Sequence, residues 1–349
     1  MKGRVLVLDE IGGRPAAALI VDGRVEELSV DPGDEAVLPG AIYRSVADRP
    51  VKGQGGIFVK LPGGSGFLRQ ISGVAPGQRL LVQVTGPAEA GKALPVTTRL
   101  LFKSRFAIVT PDAPGLNISR RIRDENERAA LQALAAVGMA GSAPTLGLIL
   151  RSACEGAEDN AITEDIAAMR GLAEAVLADM TGGPELLVDG AGAHDLAFRD
   201  WLDPGVDEVD TEAGSFERHG VTEALGTLLA TRVALDGGGH MMIEPTRALV
   251  AVDVNTGPDT SPAASLKVNI AAARELPRQL RLRGLGGQVV ADFAPMPKRD
   301  RAILDQVLRA AFKAEGETNL AGWTTLGLYE LTRKRDRLPL SEVLAGLLP

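Results

Sequence analysis

The stretch Ala248–Gly257, ALVAVDVNTG, is a continuous apolar run that ends in polar residues and a glycine. A second apolar run, QVVADF at 288–293, repeats the pattern. Each run has the length of a buried strand. Between them, Ser261 and Pro262 form a typical helix start, and the helical pattern stops at Gly284. Because two strands joined by one helix are usually parallel neighbours, this region is predicted to be an α/β layer structure.

Each apolar run carries a carboxylate at its end, and the two positions, Asp253 and Asp292, are 39 residues apart. If the strands are neighbours, both carboxylates lie at one sheet edge and repel each other unless a cation lies between them. Asn255 adds an amide on the same strand face. Hard oxygen ligands with few histidines or cysteines favour Mg²⁺ or Mn²⁺. The alternative is that both Asp residues only cap backbone N–H groups at strand ends.

The charge of the chain is uneven. The formal net charge is −7, which excludes a uniformly basic surface. Residues 262–349 nevertheless carry 14 basic and 9 acidic side chains. Lys298, Arg299 and Arg301 follow Asp292 directly, so they are candidate ligands for a polyanion. Two ordinary solvated surfaces would give the same charge distribution, so that explanation stays open.

Residues 35–102 contain five short apolar stretches separated by turn-rich pieces such as LPGGSG. Short strands of this kind without a helical period predict a small closed barrel. Only 3% of the residues are aromatic, yet Phe58 and Phe67 lie on consecutive predicted strands. Exposed rings on a barrel can stack on nucleic-acid bases. The alternative is that both rings fill the barrel interior.

Arg151 and Ser152 follow the predicted strand TLGLIL in a mixed α/β stretch. An arginine beside a hydroxyl can clamp a phosphate, although such a pair is also common at an ordinary strand end. Cys154 is expected to be a passive small side chain, and His219 and His240 have no obvious partner in the sequence. No GK[ST] motif follows a glycine-rich loop, which argues against a P-loop nucleotide site.

Several classes of protein are excluded by what the sequence lacks. One cysteine and three histidines rule out an internal disulfide framework and zinc sites built from two or more cysteines of one chain. No apolar run approaches the ~18 residues that span a bilayer. The N-terminal sequence reaches Asp9 and Glu10 too early for a secretory signal. We therefore expect a cytoplasmic protein that does not enter a membrane.

Long ordered stretches of the chain resemble the ribonuclease E/G family of bacterial endoribonucleases. IEPTRALVAVDVNTG and ARELPRQLRLRGLGGQVVADFAPM are similar to the catalytic region of that family. GAIYRSVADR, GIFVKL, GFLRQI, GQRLLVQV and TTRLLF are similar, in order, to its inserted S1 RNA-binding barrel. GLNISRRI and GLILRSACEG are similar to its 5'-sensor segment.

The resemblance implies an α+β multidomain fold. An RNase H-like subdomain would be interrupted by an S1 (OB-fold) barrel and a 5'-sensor, and a DNase I-like α/β catalytic subdomain would follow. The implied bounds are 1–34 with 197–232 for the RNase H-like part, 35–102 for the S1 barrel, 103–196 for the 5'-sensor region and 233–349 for the DNase I-like part.

The resemblance also implies an activity: Mg²⁺-dependent cleavage of single-stranded RNA in rRNA and mRNA processing and decay, stimulated by a 5'-monophosphate, with 5'-phosphate and 3'-hydroxyl products. Asp253 and Asp292 would hold one Mg²⁺, with Mn²⁺ as a substitute, and Asn255 would orient the reacting phosphate or a water. The implied phosphate sensor is Arg151 and Ser152, with the backbone near Ser104 and Ile108. The implied RNA-binding residues are Phe58, Phe67, Lys92, Lys298, Arg299 and Arg301.

The chain departs from the family pattern at several positions. Ser152 replaces a usual threonine, Ser104 a usual glycine and Arg247 a common glutamate. The sequence ends at Pro349 without the CPxCxG-type cysteine pair, so we expect no zinc and no zinc-linked tetramer, in a compact form similar to the G-type enzymes. A homodimer through the DNase I-like part stays open. The alternative functions are an RNA-binding or ribosome-associated protein with weak or no catalysis and, less favoured, a phosphohydrolase of small nucleotides.

Overall fold

The computed structural model describes residues 3–33, 36–51, 55–89, 91–259 and 261–347. The chain folds into two compact units. The first unit joins Met1–Gly33 with Val209–Pro349, and the second unit is Asp34–Glu208. The predicted boundary between residues 34 and 35 lies outside the described residues. The finer division into four parts stays a prediction.

The first unit begins with three antiparallel strands, β1 (Arg4–Ile11), β2 (Arg14–Val21) and β3 (Arg24–Val30). The turn between β2 and β3 is Asp22-Gly23, and both residues have positive φ angles of 50° and 80°. This conformation matches the twist of a two-residue hairpin and suits an Asp-Gly pair. Strands β2 and β3 therefore form a tight antiparallel hairpin.

The second unit contains a closed barrel. Its strands are β4 (Ile42–Val51), β5 (Gly56–Leu61), β6 (Gly64–Leu68), β7 (Arg79–Val84) and β8 (Leu94–Thr97). They pair in the order β4-β5-β6-β8-β7, and β7 pairs with β4 to close the barrel. Buried apolar side chains such as Ile57, Val59 and Val82 fill the interior. The predicted five-stranded barrel is confirmed.

A four-stranded sheet with two helices follows the barrel in this unit. The strands are β9 (Phe102–Lys103), β10 (Ala107–Thr110), β11 (Gly115–Ile118) and β12 (Gly147–Leu150), and the helices are α1 (Glu125–Gly138) and α2 (Asp159–Ala178). The sheet order is β11-β12-β10-β9. Both helices pack on it through side chains such as Leu131, Ile162 and Ile166, which are fully buried or nearly so.

The second unit ends with β13 (Glu185–Val188) and α3 (Ala193–Asp200). Strand β13 pairs antiparallel with β4 and so adds a sixth strand to the barrel sheet. The sequence did not predict this strand. Arg44 on β4 is 4% exposed and makes ion pairs with Asp179 and Glu185, which hold the returning chain against the barrel.

The chain re-enters the first unit through the short strand β14 (Glu208–Asp210), which joins the sheet in the order β14-β1-β2-β3. Helices α4 (Ser215–Arg218) and α5 (Val221–Leu229) follow it. Phe216, Val221 and Leu225 pack against the apolar face of β1, β2 and β3. The sheet is therefore covered by residues nearly 200 positions later in the chain.

The remainder of the first unit is a six-stranded mixed sheet. Its strands are β15 (Arg232–Ala234), β16 (His240–Pro245), β17 (Val250–Asn255), β18 (Gly287–Asp292), β19 (Thr318–Trp323) and β20 (Tyr329–Arg333), in the order β15-β16-β17-β18-β20-β19. The helices are α6 (Pro262–Leu282), α7 (Lys298–Ala311) and the short α8 (Leu340–Val343). The predicted strand–helix–strand unit is confirmed, since β17 and β18 are parallel neighbours.

Helix α6 connects β17 to β18 and ends where the sequence predicts. Gly284 has a φ of 64°, and the N–H of Leu285 donates to the carbonyl of Leu280 at 2.9 Å. This arrangement is a Schellman-type helix end, which favours glycine because the left-handed conformation strains other residues. It turns the chain directly into β18.

Asn269 in the middle of α6 is fully buried and makes two hydrogen bonds to one backbone residue. Its Nδ2 donates to the carbonyl of Ala294 at 2.9 Å, and its Oδ1 accepts from the N–H of Ala294 at 2.9 Å. Ala294 lies two residues after the end of β18. The amide thus fixes the path of the chain as it leaves the strand.

Among the helices in the described ranges, none is both long and apolar enough to cross a bilayer.

We expect Asn269→Ala to lower the free energy of unfolding by about 2–4 kcal/mol, because it leaves the N–H and C=O of Ala294 buried without partners. Urea unfolding followed by circular dichroism measures the change. Asn319→Ala is the matched control, since Asn319 is exposed on β19. Equal unfolding midpoints for the two variants would contradict the structural role of Asn269.

Cys154 is 1% exposed, and burial raises the pKa of its thiol to about 12. Because only the thiolate reacts, we expect the native protein to react very slowly with a disulfide reagent near pH 8. The same reagent should label the thiol within seconds in urea. Absorbance of the released thiolate measures both rates. A native rate equal to the rate in urea would show that Cys154 is accessible, against the passive role predicted for it.

Candidate functional site

Asp253 and Asp292 lie side by side at the carboxyl ends of two parallel strands. They are direct partners in the register of β17 and β18. On β17, Val252 and Val254 point into the core, so Asp253 points to the opposite, exposed face. Asp292 is exposed as well. The prediction that both carboxylates lie at one edge of the sheet is confirmed by this strand pairing.

The alternative of simple strand-end capping finds no support in the hydrogen bonds. Within the ranges that the structure describes, neither carboxylate accepts a hydrogen bond from a backbone N–H. Instead, the Nδ2 of Asn255 donates to Oδ2 of Asp253 at 2.7 Å. Residues two apart on a strand share a face, which explains the contact. Asn255 therefore orients Asp253 and leaves its Oδ1 available.

The donor set at this edge fits a hard divalent cation. Two carboxylates on adjacent strands, which run about 4.8 Å apart, repel each other in the absence of a cation. Oxygen donors without histidine or cysteine are the set that Mg²⁺ and Mn²⁺ prefer. Asp253 and Asp292 are the residues that could hold such an ion, and Asn255 steadies one of them.

Three basic side chains begin helix α7 next to Asp292. Lys298 and Arg299 are exposed, and Arg301 is half-buried. The amino end of a helix carries partial positive charge, so cations there gain nothing from the helix dipole. Helix stability thus gives no reason for this cluster, whereas an anionic ligand would. By contrast, Arg278 and Arg281, further back on α6, are bound to the backbone and carboxylates of β3.

The barrel carries its two phenylalanines on the outside. Phe58 and Phe67 are register partners on β5 and β6, with ring centroids 5.2 Å apart. Both rings are half-buried, and the neighbours Ile57 and Val59 point inward instead. The guanidinium of Arg49 lies 5.3 Å from the Phe58 ring centre. The alternative that these rings fill the barrel interior is wrong, while the stacking role stays a prediction.

Lys92 lies in the loop before β8 and is exposed. Its Nζ is 2.7 Å from a carboxylate oxygen of Glu89, three residues earlier. Exposed ion pairs of this kind are worth little and open easily. The lysine can therefore exchange this carboxylate for another anion.

The residues predicted to sense a 5'-phosphate meet in the second unit, together with acidic partners. The guanidinium of Arg151 donates to the carbonyl of Ser104 at 2.6 Å and to Oδ1 of Asp200 at 2.7 Å. Ser152 donates to Asp203 through its hydroxyl. No local sequence pattern indicates these two carboxylates, which lie about 50 residues further along the chain.

Asp200 is shared by three cations. Besides Arg151, it forms ion pairs with Lys103 at 2.7 Å and with Arg199 at 3.0 Å. Burial alone would raise the pKa of this carboxyl, but Lys103 and Arg199 lower it to about 2. Burial also lowers the pKa of Lys103, although Asp200 counteracts this effect. The cluster combines three positive charges with one fixed negative charge.

The other two residues predicted to form the phosphate sensor, Ser104 and Ile108, lie four positions apart in the sequence. The hydroxyl of Ser104 donates to a carboxylate oxygen of Asp165, which also accepts from the N–H of Phe106 at 2.9 Å. Ile108 is half-buried on β10, opposite Ile149 of β12. Asp165 therefore accepts the hydrogen bonds that the Ser104 hydroxyl and the Phe106 N–H could otherwise donate to a phosphate. No sequence pattern indicates this role of Asp165.

His219 has a carboxylate partner that the sequence did not reveal. Its Nε2 is 2.9 Å from Oδ2 of Asp210 on β14, and Arg218 also contacts Asp210 at 2.9 Å. The nine-residue separation places the partners on different elements, so no local pattern shows the contact. It holds α4 to the strand that precedes it.

Comparison of the chain with known proteins identifies its family. Residues 102–214 and 206–336 match the model of the Ribonuclease E/G family. The chain is 30% identical to Ribonuclease E of Nostoc sp. over 95% of its length and 56% of the relative. It is 31% identical to Ribonuclease G of Haemophilus influenzae and 28% identical to Ribonuclease G of Escherichia coli (strain K12), in each case over 79% of the chain and 63% of the relative.

The chain thus spans between half and two thirds of the length of these curated relatives. The family match includes both strands of the carboxylate pair and the strand β12 that immediately precedes Arg151. By sequence and by the match across most of its length, the chain belongs to the ribonuclease E/G family.

Proposed function

We propose that this protein is a divalent-metal-dependent endoribonuclease that cleaves single-stranded RNA in RNA processing and decay. The observation that carries the proposal is the in-register pair Asp253 and Asp292, with Asn255 bound to the first of them. The names of the relatives, Ribonuclease E and Ribonuclease G, support the same activity.

Asp253 and Asp292 would hold Mg²⁺, or Mn²⁺ in its place, which when bound polarises the phosphodiester and activates a water, giving 5'-phosphate and 3'-hydroxyl ends. Asn255 keeps Oδ2 of Asp253 in a hydrogen bond and so fixes the direction of the other oxygen. Preorganised ligands of this kind reduce the reorganisation needed during the reaction. Lys298, Arg299 and Arg301 attract the phosphates that flank the cleaved bond.

The barrel of the second unit would supply sequence-tolerant contacts to single-stranded RNA. Phe58 and Phe67 form a half-buried aromatic pair on the outside of the barrel with Arg49 beside it, a combination suited to stacking on bases. Lys92 would bind the sugar–phosphate chain after releasing Glu89. None of these contacts reads a particular base, which fits cleavage of many RNAs.

Stimulation by a 5'-monophosphate would depend on Arg151 and Ser152, with the backbone around Ser104 and Ile108. Arg151, Lys103 and Arg199 already surround the carboxylate of Asp200, so these three cations together bind an anionic group in the folded protein. A terminal phosphate carries more charge than a carboxylate and more acceptor oxygens. It would compete with Asp200 for Arg151.

We expect Asp253→Asn to lower the rate of RNA cleavage by about a thousandfold, because it removes one charged ligand of the cation. RNA binding, measured by fluorescence anisotropy, should change little. Cleavage of an AU-rich, 5'-labelled oligonucleotide with Mg²⁺ or Mn²⁺ is the assay, and Asp195→Asn is the control because Asp195 is exposed on α3. If the unchanged protein binds this RNA but never cuts it, the enzyme proposal is wrong and the non-catalytic RNA-binding alternative holds.

We expect Arg151→Ala to abolish any preference for 5'-monophosphate over 5'-hydroxyl RNA, since the arginine supplies the charge for the phosphate. Paired rate measurements on the two substrates test this. Arg232→Ala, an exposed arginine on β15, serves as the control and should keep the preference. Equal rates of the unchanged protein on both substrates would mean that Ser104 or Ser152 has disabled the pocket.

A further inference from the structure

The hairpin formed by β19 and β20 reaches the same sheet edge as the carboxylate pair. Tyr329 at the start of β20 pairs with Ala291, the residue before Asp292. Trp323 at the end of β19 pairs with Tyr329. The turn between these strands, residues 324–328, therefore projects beside Asp292.

The turn is ordered by its own hydrogen bonds. The N–H of Thr324 donates to the carbonyl of Leu328 at 2.8 Å, and the N–H of Leu328 donates to Oγ1 of Thr324 at 3.0 Å. Gly327 completes the turn with a φ of 94°. A closed turn of this kind holds its outermost side chain in a defined position.

That outermost side chain is Leu326, which is 89% exposed. It is the most exposed of the large apolar side chains in the described part of the chain; the next, Val137, is 71% exposed. A leucine held in water by a rigid turn gains no stability for the fold. An apolar tip next to a candidate catalytic edge is instead suited to contact a ligand that binds there.

Arg301 lies against the base of the same hairpin. Its guanidinium carbon is 4.7 Å from the centre of the Trp323 ring. In the described ranges it forms no ion pair, and its buried Nε has no hydrogen-bond partner. The carboxylate of Asp305, one helical turn later, accepts a hydrogen bond from the Tyr329 hydroxyl and pairs with Arg309. The charge of Arg301 is thus left for an external anion.

We propose that Arg301 and the turn 324–328 form a nucleotide subsite beside Asp292. Arg301 binds an RNA phosphate next to the one that is cut, and Leu326 packs against the base or ribose of that nucleotide. Trp323 is a positioning residue that holds the guanidinium plane by stacking. The subsite rests on the endoribonuclease function proposed above. The unpaired cation and the continuity with the carboxylate edge favour RNA over a protein partner as the occupant.

Trp323 provides a direct readout, because the chain has two tryptophans and the other, Trp201, is 6% exposed. A ten-nucleotide single-stranded RNA is titrated in EDTA, where no cleavage occurs. We expect a saturable change in tryptophan fluorescence with the same midpoint as the anisotropy of the labelled RNA. The change should persist in Trp201→Phe and disappear in Trp323→Phe. RNA binding by anisotropy with no change in Trp323 fluorescence would overturn the subsite.

Kinetics of the metal-loaded enzyme give a second test. We expect Leu326→Ser to raise KM by about fivefold with little change in kcat, because it removes apolar contact with bound RNA. Arg301→Ala should raise KM by about tenfold, and Arg301→Lys should restore only part of the loss, since an ammonium group does not stack as a guanidinium does. Val137→Ser, an equally mild change on α1, is the control.

The outcomes separate this inference from the proposed function. If the unchanged protein cleaves RNA while Leu326→Ser and Arg301→Ala behave like Val137→Ser, the subsite is wrong and the endoribonuclease proposal stands. If the unchanged protein neither binds nor cleaves RNA, both are wrong. If Leu326→Ser changes the sedimentation of the protein but not RNA binding, the turn is a protein contact and the subsite is overturned.

Discussion

The amide of Asn269 makes two hydrogen bonds to the backbone of Ala294 in a place that water does not reach. This contact joins the middle of α6 to the exit of β18, and α6 is the connection between the two strands that carry the carboxylates. The parallel register places Asp253 opposite Asp292 only if both strands end where they do. The buried amide of Asn269 bonds to the peptide groups of one residue and would lose both hydrogen bonds if the strand were shifted by one residue. It therefore specifies where β18 ends more strictly than apolar packing does.

Basic side chains are clustered at particular places in this protein although its net charge is negative. The net charge of −7 disfavours polyanions at long range, where salt screening is strong. At the carboxylate edge the basic residues lie at the start of α7, and Arg301 is held on Trp323 without a described carboxylate partner. On the second unit the cations around Asp200 are held by ion pairs. Attraction of RNA would depend on these local fields and not on the average.

Much of the fold could be predicted from local sequence patterns. Apolar runs around Asp253 and Asp292 with a helix between them predict parallel neighbours, and that pairing also predicts the shared edge. Five short strands predict the barrel. In these cases the pattern and the contact lie within one supersecondary unit, so the information is local.

The parts that could not be predicted depend on distant residues. Strand β13 joins the barrel sheet about 140 residues after β4, and the carboxylates of Asp200 and Asp203 approach Arg151 and Ser152 from another element. Nothing in the sequence around Arg151 indicates that its charge is shared. The outward position of Phe58 was also undecided from spacing alone, because only the buried neighbours Ile57 and Val59 establish which face is inside.

The carboxylate of Asp200 has a consequence for selectivity among anions. Three cations without it would repel one another and would bind any passing anion, including chloride. With it, an incoming group must displace a ligand that the fold supplies at no cost in translational entropy. A singly charged anion gains little from such an exchange, whereas a dianion gains the difference in charge. If a 5'-phosphate binds here as proposed, Asp200 would compete with it for Arg151, so that occupancy of the site would depend on the charge of the incoming group and not merely on its presence.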